Sequence, residues 1–91
     1  MSATVEQAMQ EVESKWLRFV PSPIQAPRTE VWLVCAKEGG GILGEVKWIG
    51  RWRRYGFYPT NDSVYEQDCL RDIAGFVEQR TTAHKARRNH A

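Results

Sequence analysis

Ninety-one residues leave room for one small domain and no second core. Thirteen Lys and Arg against eleven Asp and Glu give a net charge of +2, too little for a dedicated nucleic-acid coat protein. Two cysteines are too few for a disulfide scaffold or a zinc site, and no apolar run approaches the roughly 20 residues of a membrane span. The start lacks a basic-then-apolar leader, so the expectation is a cytoplasmic domain with no cofactor, metal or small-molecule substrate. Four Trp, three Tyr and three Phe supply the large side chains of an aromatic core.

Residues 1–20 read as an amphipathic helix. Val5, Met9, Val12, Trp16 and Phe19 recur at spacings of four, three, four and three, a helical seam. Acids lie early (Glu6, Glu11, Glu13) and bases late (Lys15, Arg18), as the helix dipole favours. A seam this short docks on its own domain, on a second copy or on another protein. Residues 21–28 hold Pro21, Pro23 and Pro27 and read as an extended linker.

From residue 29 the period changes. Residues 29–36 are β-branched and aromatic, a strand with two apolar faces, and Gly39-Gly40-Gly41 marks a turn. That triplet lacks the Gly-Lys-Ser/Thr ending and following helix of a phosphate cradle. Residues 42–49 alternate cleanly, with Gly44, Val46 and Trp48 on one face and Glu45 and Lys47 on the other. Residues 51–58 form a third strand up to Pro59, in which a bulge near Arg53-Arg54 brings Trp52, Tyr55 and Phe57 inside together. After a turn at residues 60–63, residues 68–79 form a second helix with Leu70, Ile73, Ala74 and Val77 as its stripe, widened by Cys69 and Phe76. Ser63 with Glu66 fits a capping box, with Glu66 itself a rival start. Residues 81–91 read as a basic, flexible tail.

The expected fold is therefore α+β in the order α-β-β-β-α: an N-terminal helix, a proline linker, and a three-stranded antiparallel meander with a packed helix over residues 29–80.

Leu43-Gly44, Val46, Trp48, Trp52-Arg53, Tyr55, Phe57, Pro59, Cys69-Leu70, Ile73-Ala74 and Phe76 together resemble a group of small bacteriophage and prophage proteins. The resemblance spans about residues 32–77. It implies a phage accessory or early protein and supplies no catalytic site. It also makes the first helix an extension beyond the shared core, and hence the place for a function particular to this chain.

The chemistry-bearing residues support binding over catalysis. His84 and His90 fall in the tail, where no rigid base can be held against a nucleophile. Cys35 and Cys69 read as buried structural thiols, and Glu66, Asp68 and Asp72 as ordinary acids at a helix start. Two binding surfaces remain. The favoured one is the seam Val5, Met9, Val12, Trp16 and Phe19, contacting a host or phage protein or a second copy. The other is nucleic-acid binding by Arg51, Arg53 and Arg54 around Trp52 and Tyr55, with Arg80, Lys85, Arg87 and Arg88 behind them. Charge is asymmetric in the same sense. Positions 47–91 carry nine basic and five acidic residues, whereas positions 1–46 carry four and six.

Overall fold

A computed structural model describes residues 9–89. Five strands form one antiparallel meander in sequence order: β1 (Val12–Glu13), β2 (Leu17–Pro21), β3 (Val31–Ala36), β4 (Ile42–Ile49) and β5 (Arg54–Pro59). A single helix, α1 (Gln67–Asn89), follows and packs on one face of the sheet.

The expected N-terminal helix is not formed over the described residues, and the α-β-β-β-α order is corrected to five strands and one helix. Leu17 and Phe19 are buried by two-residue alternation while Arg18 and Val20, on the other face, are half-buried. The pairs Phe19–Val34 and Leu17–Ala36 fix that register against β3. The same letters fit a helical seam only because Val12, Trp16 and Phe19 also stand four and three apart. A helix would bury Trp16 with Phe19; instead Trp16 is 45% exposed and Phe19 2%. Met9 is buried in the core, Val12 is on the exposed edge strand, and Val5 lies outside the described residues.

The proline segment is likewise the loop of the β2–β3 hairpin, not a linker between units. Ser22 N–H donates to the Val31 carbonyl at 2.9 Å, and the Gln25 side chain extends the ladder. Its Nε2 donates to the carbonyls of Val31 (2.7 Å) and Ser22 (2.8 Å), and its Oε1 accepts from Val31 N–H at 3.0 Å. An amide side chain thus supplies the pairing that prolines, lacking N–H, do not.

The β3–β4 turn is where the glycine triplet placed it, with Gly39 and Gly40 at φ 81° and 68°. The β4–β5 turn differs from expectation. Arg51, Trp52 and Arg53 are outside the strand, and β5 begins at Arg54. The β4–β5 register runs without a shift from Ile49–Arg54 to Gly44–Pro59, so the expected bulge at Arg53-Arg54 is absent. The irregularity lies instead between Val34 and Cys35 in β3. Tyr55 is buried and Phe57 half-buried as expected, but Trp52 is 57% exposed at the turn.

Helix α1 is capped by Glu66, whose carboxylate accepts from Cys69 N–H at 2.6 Å. Ser63 takes no part, donating its hydroxyl to the Thr60 carbonyl. The inward stripe is Cys69, Ile73, Phe76 and Val77, while Leu70 and Ala74 are exposed. Phe76 is the hinge of the core: it stacks on Phe19 at 4.2 Å between ring centroids and meets Trp32 edge-on at 5.0 Å. Residues 81–89, expected as a frayed tail, continue the helix.

Candidate nucleic-acid interface

The last turns of α1 lack an apolar stripe and are held by polar contacts. Glu30, immediately before β3, is 4% exposed. Arg80 grips it bidentately, Nε to Oε1 at 2.8 Å and an Nη to Oε2 at 2.9 Å. Trp32 Nε1–H adds a bond at 2.9 Å and Arg87 a third cationic contact at 3.2 Å. Burial pushes the Glu30 carboxyl up, but the hydrogen bonds from Arg80 and Trp32 and the two guanidinium charges outweigh it, leaving it below the ordinary carboxylate range. The Arg80 guanidinium also lies over the Trp32 ring, 5.5 Å from its centroid.

On the neighbouring side Tyr55 N–H donates to Thr81 Oγ1 at 3.0 Å, tying the edge strand β5 to the helix. The Tyr55 hydroxyl accepts from Glu30 N–H at 2.9 Å. Trp48 is then packed between Tyr55, edge-on at 5.2 Å, and His84, tilted at 4.4 Å.

These contacts bring together stretches that the sequence keeps apart. Arg28, Thr29, Trp48, Gly50, Arg53 and His84 line one cleft of about 460 Å³. Antiparallel pairing of β3 with β4 explains the meeting: Val31 pairs with Lys47, so the chain before β3 lies beside the end of β4. Around the helix, Arg54 and Lys85 line a second hollow of about 450 Å³ with Tyr55, Thr81 and Thr82. Members of both basic clusters read from the sequence, Arg53 and Arg54 from one and Lys85 from the other, therefore line neighbouring hollows beside the end of the helix. Among the described residues, Arg28 and Arg53 have no acidic partner, whereas Arg87 is engaged by Glu30. The Arg88 side chain lies outside the described residues.

Arg51 and Trp52 sit in the turn between the lining residues Gly50 and Arg53. The Arg51 guanidinium stands 4.9 Å from the centroid of the exposed Trp52 ring. Both Trp52 N–H and Arg53 N–H donate to the Ile49 carbonyl, at 3.2 and 2.8 Å, and Arg53 adopts φ 54° to close the turn. The left-handed conformation costs a non-glycine residue about 1 kcal/mol, and it is an arginine that adopts it here.

Sequence reasoning missed Arg28, Thr29 and His84 as lining residues. Pairing the strands around residues 29–36 and 42–49 in antiparallel register would have brought Arg28 to Gly50, but the helical run to His84 had no apolar signal. The favoured seam is not assembled: Met9 and Phe19 are core, and Val12 and Trp16 are exposed on and beside the edge strand. Cys35 and Cys69 are free, and burial together with the Glu66 carboxylate pushes the Cys69 thiol up, which keeps it protonated and poorly nucleophilic near neutral pH. Among the described residues no group of three or more His, Cys, Asp or Glu could hold a metal ion, and no helix is long and apolar enough to cross a membrane.

Comparison with known proteins gives a relative of the kind the sequence resembled. The chain is 30% identical over 66 residues to an uncharacterized 9.3 kDa protein of Acholeplasma phage L2, covering 72% of this chain and 85% of that one. No family model matches, and no solved structure matches.

Proposed function

This chain belongs to the family of the small Acholeplasma phage L2 protein, and from that premise we propose that it is a non-enzymatic phage accessory protein that binds nucleic acid at its basic end. The observation that carries the reading is the convergence of Arg28, Arg53, Arg54 and Lys85 on the two hollows flanking the end of α1. Arg28 and Arg53 come from different loops, and among the described residues neither is neutralised by an acid. Guanidinium groups so placed suit phosphate oxygens, which they bind bidentately. Aromatic rings at the same end give bases a surface on which to stack.

The test is fluorescence anisotropy of labelled single-stranded and duplex DNA at low and physiological salt. Salt-dependent binding is expected, and Arg28→Gln with Arg53→Gln should weaken it while leaving the circular dichroism spectrum unchanged. Each lost phosphate contact should lower the salt slope by about 0.9 on duplex and about 0.7 on single strands. No binding of either DNA at low salt removes the reading.

A further inference from the structure

Resting on that reading, we infer that the bound nucleic acid is single-stranded, with one base stacked on Trp52 and the adjoining phosphate held by Arg53 and Arg28. Trp52 is 57% exposed, yet it is the largest side-chain type and stands at a turn that its own backbone bond to Ile49 fixes. Packing does not explain it. Every other tryptophan flanking the site is used by the fold: Trp32 lies in the core and Trp48 is enclosed by Tyr55 and His84. Trp52 has Arg51 near its ring and the cleft next to it, since Gly50 and Arg53 on either side are lining residues.

An exposed indole pairs with a base only when that base is unstacked, the ordinary condition of a single strand and a costly one in a duplex. The cleft beside it, at about 460 Å³, has the size of a small-molecule site and takes a nucleotide unit, not a double helix. The strand pair leading to the turn is poorly made for a major groove. On the face away from the helix β4 and β5 pair Glu45 with Tyr58 and Lys47 with Gly56, and the Lys47 ammonium is already engaged by the Glu45 carboxylate at 4.0 Å and the Tyr58 ring at 4.4 Å. Arginine beside a stacking ring at a nucleotide-sized cleft is instead the arrangement of a single-strand platform.

The experiment compares a labelled oligothymidylate with a duplex of the same length, using the wild-type chain and the variants Trp52→Ala and Trp52→Tyr. Tighter binding of the single strand is expected. Trp52→Ala should weaken it at least about fivefold, the low end of what one stacked base contributes, and Trp52→Tyr should restore most of the loss. Circular dichroism should be unchanged, because Trp52 is outside the core. Equal or tighter duplex binding would overturn the inference while leaving nucleic-acid binding intact, and so would a single-strand affinity that Trp52→Ala moves less than twofold. A concentration-dependent dimer abolished by Trp52→Ala, with DNA affinity unchanged, would assign the ring to a protein contact and overturn it too. If neither DNA binds at low salt, both the inference and the proposed function fall.

Discussion

Glu30 and Arg80, 50 positions apart, form a two-bond fork at 2.8 and 2.9 Å on the buried side of the helix. This pair fastens α1 to the start of β3 one helical turn beyond Phe76, whose edge-on contact with Trp32 is apolar. Its position sets the candidate site, since Arg28 and Thr29 precede Glu30 directly and His84 stands one turn beyond Arg80. Removing one partner strands the other as a buried charge. Arg80→Ala should cost about 3 kcal/mol in urea unfolding. Arg87→Ala should cost under about 1 kcal/mol, because its side chain is mostly exposed and its screened bond is the longest of the set.

Acid should loosen the same fastening. Glu30 has a folded-state pKa below its unfolded value, so its contribution is fully present above the unfolded value of about 4.3 and is lost as pH falls through the folded one. Glu11, bound by Arg18, and Glu66, bound by the amide N–H of Cys69, are lowered as well and act in the same direction. Stability measured by urea midpoint should therefore fall below about pH 4.3, and Glu30→Gln, less stable throughout, should show a shallower acid arm.

The opposite limb belongs to Tyr55. Burial raises its phenol above the ordinary value, and the Glu30 charge adds to that, while the amide bond from Glu30 and the Arg87 and Arg80 charges oppose it only in part. A raised folded value means that stability is intact below the unfolded pKa of about 10 and declines as pH rises through the folded one. Tyr55→Phe should flatten the alkaline decline. It should also cost about 1–3 kcal/mol at neutral pH, since the Glu30 N–H loses its buried acceptor.

The parts of the fold legible in the sequence are those in which burial alone decides. β4 alternates because Gly44 and Val46 face the helix, and the stretch from Cys69 to Val77 carries a helical stripe. Two misreadings have physical reasons. Between Met9 and Pro21 only a few apolar residues occur, so a spacing of four and three fits as well as alternation does. Val20 before Pro21 was the discriminating signal, because a residue that precedes proline is pushed out of the helical region toward extended backbone. From Arg80 onward the helix docks through Thr81, His84 and two ion pairs, contacts to which a search for apolar periodicity is blind. The arginines of residues 51–54 were found for their charge and aromatic neighbours, but their meeting with Arg28 needed the strand register.

Gly44 should not tolerate a side chain. It is buried on β4 opposite Pro59, and a methyl group there would lie 2.7 and 2.8 Å from carbons of the Phe57 ring and against the Tyr58 carbonyl. The ring could swing away, but the carbonyl belongs to the paired strand and cannot. Gly44→Ala should destabilise the domain by about 1–3 kcal/mol, the usual cost of overpacking. The exposed Gly75 serves as control: nothing lies within 4 Å of the added carbon and the position is helical, so Gly75→Ala should stabilise by about 0.5–1 kcal/mol.

Trp16 and Phe19 give the sharpest comparison between the helical seam and the strand. A seam would make the two rings act together, and both alanine variants would then be comparably damaging. In the sheet they part company. Phe19 is 2% exposed and stacked on Phe76, whereas Trp16 is 45% exposed at the entrance to β2 with Lys15 near its ring. Phe19→Ala should therefore cost about 3–5 kcal/mol, a large share of the roughly 5–15 kcal/mol that stabilises a domain. Trp16→Ala should change the unfolding free energy by no more than about 0.5 kcal/mol, since its backbone contact, the carbonyl that accepts from Lys37 N–H, survives the change. Equal losses in the two variants would restore the helix and displace β2 from the sheet.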